Sequence, residues 1–232
     1  MRGGNSEKEC RLFLCKINDI VKEDWLWYLQ GKCSTIKEGF EFINGGCKMN
    51  RLLLIMGDLA TGKSTFAKLL SQRYGASMFA KDTIKEVLGD TIGFTNREEN
   101  LKLSKATMEL MNFLFDEFAK LDKPLILESN FHTGELEHLH KMAKERGYEI
   151  LTLLLRADTD ILYQRYLHRM NNENRHPVHL STTLDVYEDF KAYLEQSRKE
   201  KMVGEWMEIC ADDFSYQTDE SMLFEIDVFM GR

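Results

Sequence analysis

The segment that most restricts how this chain can fold begins at Gly57. It reads Gly57-Asp-Leu-Ala-Thr-Gly62-Lys63-Ser64 and fits the pattern G-x-x-x-x-G-K-[ST] at every specified position. An unbroken apolar run over residues 52–56 precedes it, as in a strand buried on both faces, and a helical pattern over residues 63–74 follows it. A strand, a glycine-containing turn and a helix in this order predict a phosphate-binding loop.

The residue types in this loop have separate expected roles. Gly57 and Gly62 let the backbone bend so that successive N–H groups converge on phosphate oxygens, and the helix that follows adds the positive end of its dipole. Lys63 is expected to reach the β and γ phosphates of a nucleotide, and the Ser64 hydroxyl is expected to ligate Mg²⁺. We therefore expect ATP or GTP to contact Gly57, Asp58, Leu59, Ala60, Thr61, Gly62, Lys63, Ser64 and Thr65.

Strand and helix patterns alternate from residue 51 onward, which predicts a parallel sheet with right-handed crossovers. The resulting fold class is α/β: a three-layer α/β/α sandwich with a five-stranded parallel sheet. The predicted strands are 52–56, 77–80, 124–128, 149–155 and 206–210. The predicted helices are 63–74, 82–88, 96–121, 134–146, 158–170, 184–197 and 220–229.

The first 48 residues differ from the rest of the 232-residue chain. Apolar residues recur at helical spacing between Leu12 and Leu29, a second cluster surrounds Phe40, and Gly45-Gly46 interrupts the pattern. We interpret 1–48 as a helical appendage, because about 48 residues is near the limit for an independent core. Residues 49–232 then form the phosphate-binding domain.

Composition limits the partners and the compartment. The net charge of −7 counts against broad nucleic-acid binding, because an acidic surface repels a phosphate backbone. Five cysteines without a CxxC pair favour reduced thiols in a cytoplasmic protein over a zinc site built from the four N-terminal cysteines. The sequence has no apolar stretch of the length needed to span a bilayer, so no membrane association is expected.

Two acidic residues follow predicted strands, and the carboxyl ends of parallel strands line the ligand crevice of such a sheet. Asp82 follows the second strand and could accept the proton of an acceptor hydroxyl, or it could cap the helix that begins at Thr83. Glu128 ends the third strand and could order Mg²⁺, or it could simply be solvated. Asn130 could bind a substrate or make the turn, and Lys85 is a further candidate substrate contact.

Arginines cluster between residues 165 and 180, which we predict to be a lid. Arg165 and Arg169 share a helix face at i, i+4, and Arg175 follows in a polar segment. A mobile cluster of this kind can neutralise charge on a phosphate during its transfer, whereas the alternative is a solvated helix face. The three nearby histidines favour phosphate-facing or surface roles over metal binding, because no acidic or cysteine partners show zinc spacing.

Together these residues resemble a family. The order Gly57-x4-Gly62-Lys63-Ser64, Asp82, Glu128-Ser-Asn130, then Arg165, Arg169 and Arg175-His176-Pro177 is similar to the P-loop kinases grouped with polynucleotide 5′-kinase, zeta toxin and chloramphenicol phosphotransferase, which are small kinases related to AAA-family ATPases. The resemblance covers residues 51–200.

The resemblance implies an ATP- and Mg²⁺-dependent phosphotransferase that acts on a hydroxyl. It assigns Asp82 as the catalytic base, Lys63 and Ser64 as phosphate and Mg²⁺ contacts, and Arg169 or Arg175 as the lid arginine. The chain departs from the pattern at Glu128, where relatives commonly carry Asp. It also carries Asp58 inside the loop, which adds a negative charge near phosphate unless the side chain points to solvent.

Three functions remain open from the sequence. The first is a kinase that moves the γ-phosphate of ATP to a small-molecule or nucleoside-like hydroxyl, with Asp82, Lys85, Asn130 and Arg165 near the acceptor. The second is a nucleotide-binding ATPase or switch without such an acceptor, and the third is a polynucleotide 5′-hydroxyl kinase. ATP is preferred over GTP because the chain has no guanine-reading [NT]KxD motif, and the adenine pocket is expected between the lid helix and the loop after Cys210.

Overall fold

The computed structural model describes residues 50–173, 175–180 and 184–232. The predicted appendage at 1–48 lies outside these residues, as do four of the five cysteines. The parallel sheet consists of the strands β1 (Asn50–Gly57), β2 (Ser77–Ala80), β3 (Leu125–Glu128), β4 (Tyr148–Arg156) and β5 (Glu205–Cys210). The helices of this part of the chain are α1 (Lys63–Tyr74), α2 (Lys81–Ile92), α3 (Arg97–Ala119), α4 (Thr133–Glu145), α5 (Thr159–Asn172), α6 (Tyr187–Ser197) and α7 (Glu220–Met230).

The strands are ordered β2-β3-β1-β4-β5, and every neighbouring pair is parallel. Alternate residues of β1 enter two separate cores, because successive side chains of a strand point to opposite faces. Leu53 and Ile55 pack with residues of α1, α5, α6 and α7, whereas Leu52 and Leu54 pack with residues of α3 and α4. The predicted three-layer α/β/α sandwich with a five-stranded parallel sheet is therefore confirmed, and the fold is that of a P-loop NTPase.

Most element boundaries lie within one or two residues of those expected, and the larger differences have local causes. Helix α2 begins at Lys81 and ends at Ile92, four residues later than expected, where Gly93 adopts a φ of 76° that favours glycine. Helix α3 begins at Arg97 because the Asn96 side chain accepts from the Glu99 N–H as its N-cap. Helix α6 begins at Tyr187, three residues after the expected start.

The strand register brings the candidate site residues to one edge of the sheet. Glu128 at the end of β3 is paired with Ala80 of β2 and with Ile55 of β1. The loop after β1 and the first turn of α2 therefore flank the end of β3. Among the described residues, no helix combines the length and apolar character that a membrane crossing requires.

Candidate functional site

The loop between β1 and α1 is held by contacts to its own backbone. Lys63 Nζ donates to the carbonyl oxygens of Gly57 and Asp58, at 3.1 and 2.6 Å, and Thr61 Oγ1 donates to the Asp58 carbonyl at 2.9 Å. Gly57 has φ 135°, and a Cβ at this position would lie 1.9 Å from the Leu155 carbonyl oxygen of β4. A side chain at residue 57 would therefore separate β1 from β4 at the point where the loop begins.

Lys63 is an ammonium group whose pKa is influenced by three carboxylates. Burial lowers the pKa of Lys63, while the charges of Glu128, Asp82 and Asp58 act in the opposite direction. The carboxylates thus compensate in part for the loss of water around the ammonium group. This places a positive charge with little hydration at the phosphate-binding loop, where it interacts strongly with an anion.

Ser64 and Glu128 form a pair of oxygen groups beside the loop. Ser64 Oγ donates to Glu128 Oε2 at 3.0 Å, and Glu128 is only 4% exposed. Burial raises the pKa of Glu128, and the nearby Lys63 opposes that rise. Hydroxyl and carboxylate oxygens are the ligands that Mg²⁺ prefers, and Mg²⁺ binds proteins through few such groups plus waters and phosphates. The residues present therefore fit a magnesium ion.

Asp82 lies in the first turn of α2, but it is not the N-cap. The cap position is Ala80, so the alternative that Asp82 caps a helix starting at Thr83 is wrong. Its side chain is 65% exposed, in the cleft in front of the loop. Burial lowers the pKa of Lys85, and the charge of Asp82 opposes this shift. Within the described residues, the nearest charged partner of the Asp82 carboxylate is His179, whose Nδ1 is 4.0 Å away.

Arg169 and Arg175 of the predicted lid line the same cleft as Asp82. Arg169 Nε in α5 donates to Oε2 of Glu173, the C-cap residue of that helix, at 3.2 Å. Burial and the positive charge of Arg169 lower the pKa of Arg175, and Asp82 acts in the opposite direction. Arg169, Arg175 and Asp82 therefore lie close enough to influence one another electrostatically.

Arg165 has a different environment from the other two arginines. Its guanidinium donates to the carbonyl oxygens of Ala211 and Asp212, at 2.6 and 2.7 Å, and lies 4.4 Å from the centre of the Phe214 ring. These contacts hold Arg165 against the loop that follows β5. That loop and α5 are the elements between which the sequence predicts the adenine pocket.

A cleft of about 870 Å³ joins these groups, a volume typical of small-molecule sites. It brings together the predicted residues Leu59, Ala60, Gly62, Lys63, Ser64, Thr65, Asp82, Lys85, Glu128, Asn130, Arg165, Arg169 and Arg175. The side chains of Asp58 and Thr61 are buried below the loop and do not line the cleft.

The sequence predicts that Asp58 adds a negative charge near phosphate unless its side chain points to solvent. The side chain does not point to solvent. Its side chain is 3% exposed and accepts from Arg198, with Nη2 at 2.6 Å and Nε at 3.1 Å from Oδ2. Arg198 Nη2 also donates to the Ala157 carbonyl at 2.7 Å. The negative charge inside the loop is therefore neutralised by an arginine at the end of α6.

Sequence reasoning missed several residues of the site. Tyr216 Oη donates to the Thr61 carbonyl at 2.9 Å and so supports the loop from a 3₁₀ turn near the C-terminus, and neither Tyr216 nor Arg198 has a local sequence signal. Lys81 could have been suggested by its place beside Asp82, directly after a strand. The cleft is also lined by Lys81, Ser104, Ser129, Gln164, His168, Glu173 and Phe214, none of which was predicted.

Comparisons with known proteins agree with this fold. A family model described as the AAA domain matches residues 52–196. A candidate kinase from Chloroflexus aurantiacus superposes with a TM-score of 0.66 at 21% identity, covering 77% of this chain and 96% of that one. A gluconokinase from Sinorhizobium meliloti gives 0.52 at 11% identity, with 79% and 93% covered, and a sugar kinase from a Janibacter species gives 0.51 at 15%, with 77% and 95% covered. No curated protein sequence matches the chain significantly.

Proposed function

The chain belongs to the AAA domain family and has a kinase-like P-loop fold, and from that premise we propose that it is an ATP- and Mg²⁺-dependent phosphotransferase. It moves the γ-phosphate of ATP to a hydroxyl of a small-molecule or nucleoside-like acceptor. Within the P-loop kinases we assign it to the group that includes polynucleotide 5′-kinase, zeta toxin and chloramphenicol phosphotransferase. The observation that carries the proposal is the single cleft shared by Lys63, the Ser64–Glu128 pair, Asp82 and the lid arginines.

Phosphate binding follows from the groups around the loop. Lys63 Nζ exchanges its two carbonyl partners for β- and γ-phosphate oxygens, which are better acceptors because they are charged. Ser64 and Glu128 would hold Mg²⁺, which would supply positive charge against the phosphates. The Asp58 charge does not oppose this binding, because Arg198 is paired with it.

The chemical step uses Asp82 and the lid arginines. Asp82 accepts the proton of the acceptor hydroxyl as that oxygen bonds to the γ-phosphorus, and the bond between the γ-phosphorus and the β,γ-bridging oxygen breaks. ADP leaves with the negative charge of that oxygen. Arg169 and Arg175 stabilise the charge on the transferred group, a role supported by their place in the same cleft as Asp82.

Adenine is expected beside Arg165. The Arg165 guanidinium and the Phe214 ring offer flat surfaces on which a base can stack, and the two carbonyl contacts of Arg165 fix its position. Arg165, which the sequence placed near the acceptor, is therefore reassigned in this proposal to the nucleotide side. Lys85 and Asn130 remain with Asp82 on the acceptor side of the cleft.

The acceptor itself is to be found by screening. Two of the similar structures are named as a gluconokinase and a sugar kinase, which favours polyhydroxylated small molecules as a first set. The screen measures transfer of labelled γ-phosphate from MgATP to sugars, sugar acids, nucleosides, antibiotics and 5′-hydroxyl oligonucleotides. We expect label on a small molecule.

Asp82→Asn and Asp90→Asn provide the matched comparison. Both change an aspartate of α2 to its amide, but Asp90 lies outside the cleft. Asp82→Asn should lower the rate of transfer about 10²-fold or more, the usual scale for a lost general base, and should leave the MgATP affinity nearly intact. Asp90→Asn should retain the rate of transfer. Release of label only to water, at the same rate in all three proteins, would contradict the proposal and favour the ATPase or switch alternative. Label on oligonucleotides alone would favour the polynucleotide kinase.

A further inference from the structure

His179 lies between two carboxylates of α2. Its Nε2 is 2.8 Å from Glu86 Oε1, and its Nδ1 is 4.0 Å from Asp82 Oδ1. Asp82 and Glu86 are four residues apart and therefore occupy the same face of the helix. The His179 side chain is 11% exposed, whereas both carboxylates are open to solvent. The three groups form a row with His179 between the two carboxylates.

The position of His179 is set by the 3₁₀ turn Pro177–His179, which packs on α2 and α3. The Val178 carbonyl accepts from Asn100 Nδ2 of α3 at 2.8 Å and from Lys85 Nζ of α2 at 3.4 Å. Val178 is 1% exposed and lies over Gly89, where a Cβ would come within 2.4 Å of its Cγ1. The turn is therefore tightly docked, and the His179 ring cannot move far from α2.

Glu86 determines which ring nitrogen of His179 carries hydrogen. An ionised carboxylate only accepts hydrogen bonds, so the nitrogen that faces Glu86 at 2.8 Å is the donor. In the neutral ring the other nitrogen, Nδ1, then has a free lone pair. This lone pair is on the side of Asp82. The 4.0 Å distance between His179 Nδ1 and Asp82 Oδ1 can shorten when substrate binds, because catalytic hydrogen bonds are often long in the absence of substrate.

We infer that His179 is a positioning residue for Asp82 and the group that removes the proton from it. The inference rests on the proposed function. The acceptor hydroxyl gives its proton to the Asp82 carboxylate, and that proton passes to His179 Nδ1, which forms an imidazolium. The Asp82 carboxylate is thereby restored, and the Glu86 carboxylate stabilises the imidazolium until His179 returns its proton to solvent.

Among the other charged groups near His179, Lys85 and His176 have partners of their own. Lys85 donates to the Val178 carbonyl, and His176 Nε2 is 2.9 Å from Asp90 Oδ1. The His176 and His179 rings are 6.3 Å apart in an edge-on arrangement. Arg175, two residues before Pro177, is a lid arginine whose charge interacts with Asp82. Lys85 and Arg175 add positive charge near Asp82 but cannot accept its proton.

The kinetic test uses a pair of matched substitutions on α2. Glu86→Gln and Asp90→Asn each change the carboxylate partner of a histidine in the 176–179 segment to its amide, but only Glu86 contacts the histidine beside Asp82. Wild type is expected to show a kcat that rises with pH, because only the neutral ring can accept a proton from Asp82. His179→Gln should lower kcat about tenfold with the KM for MgATP unchanged and should remove that rise. Glu86→Gln should shift the pH at which kcat rises, and Asp90→Asn should preserve the wild-type rise.

Two kinetic outcomes would overturn the inference. One is a wild-type kcat and pH profile in His179→Gln. The other is an equal loss in His179→Gln and Asp90→Asn with an unchanged pH profile, because this result would mean that both histidines only hold the turn on α2.

A second measurement needs no turnover. Long-range ¹⁵N NMR of the histidine rings, with the His179 signals assigned by their loss in His179→Gln, should show an Nε2–H ring at pH 7.5. Asp82→Asn should shift His179 Nδ1 without shifting the His176 signals. An Nδ1–H tautomer, or an Nδ1 signal that does not change in Asp82→Asn, would contradict the inference. If no acceptor were phosphorylated at all, the proposed function would fail while the NMR result remained readable.

Discussion

At the scale of single residues, the site depends on charges that are buried beside their counter-charges. Lys63 and Glu128 each lose water, which acts to lower the pKa of Lys63 and to raise that of Glu128, and each opposes the shift of the other. Asp58 is neutralised by Arg198. Removing one charge leaves its partner buried without a counter-charge. A single substitution here therefore affects the whole site.

Lys63→Ala should weaken MgATP binding by about 10², the value of a charge-assisted hydrogen bond to phosphate. The physical reason is the loss of the ammonium group that, in our proposal, exchanges its two carbonyl partners for phosphate oxygens. Isothermal titration with ATP and Mg²⁺ measures the change, and Lys144→Ala on the exposed face of α4 is the control. Equal affinities for wild type and Lys63→Ala would mean that this loop is not the phosphate site.

At the scale of elements, the 3₁₀ turn Pro177–His179 and helix α2 together place Asp82. Two contacts hold the turn beside Asp82: the Val178 packing on Gly89 and the His179–Glu86 pair. Gly89 lies inside a helix, where glycine costs about 1 kcal/mol relative to alanine. This cost is offset by the close approach that the missing Cβ permits.

Gly89→Ala should keep the fold but displace the turn. Alanine favours the helix, whereas its Cβ would collide with Val178 Cγ1. A misplacement of about 1 Å can cost up to about 10² in rate, so we expect kcat to fall by about tenfold or more. Phosphoryl-transfer kinetics and hydrogen exchange at residues 176–180 measure both effects. Gly134→Ala in α4, where a Cβ meets nothing within 4 Å, is the control, and unchanged exchange and rate in Gly89→Ala would refute the prediction.

At the scale of the whole molecule, carboxylates join elements that are distant in sequence. Asp227 of α7 accepts from Arg73 Nε and Nη2 of α1, at 2.8 and 2.5 Å, and from Tyr74 Oη at 2.8 Å. These hydrogen bonds lower the pKa of Asp227 to about 2. Glu200 similarly accepts from the Thr133 N–H and hydroxyl at the start of α4, which lowers the pKa of Glu200 to about 2. Both groups make the stability of the fold dependent on pH.

Asp227→Asn should reduce stability at pH 7 and have less effect in acid. A depressed carboxyl pKa stabilises the fold above the unfolded pKa of about 3.9, and this contribution is lost as pH falls towards about 2. The difference in urea midpoint between wild type and Asp227→Asn should therefore be larger at pH 7 than at pH 3. The exposed Asp189→Asn on α6 is the control, and a difference that does not depend on pH would contradict the assignment.

The sequence by itself determined the features that depend on neighbouring residues. The loop at Gly57–Ser64, the alternation of strands and helices and the acidic residues after β2 and β3 could be predicted, because turns and periodicities are local properties of the chain. The five-stranded parallel sheet followed from that alternation. The prediction that Asp82 could cap a helix was wrong, because a helix start depends on the backbone of β2 as well as on residue type.

Only the tertiary structure decided which distant residues meet. Asp58 and Arg198 are 140 positions apart, and Glu86 and His179 are 93 apart, so no local pattern links either pair. The strand order β2-β3-β1-β4-β5 and the contact of Arg165 with the loop after β5 likewise depend on how the helices cover both faces of the sheet. Local sequence predicts where a charge lies along the chain, but the partner that neutralises or orients it is selected by packing.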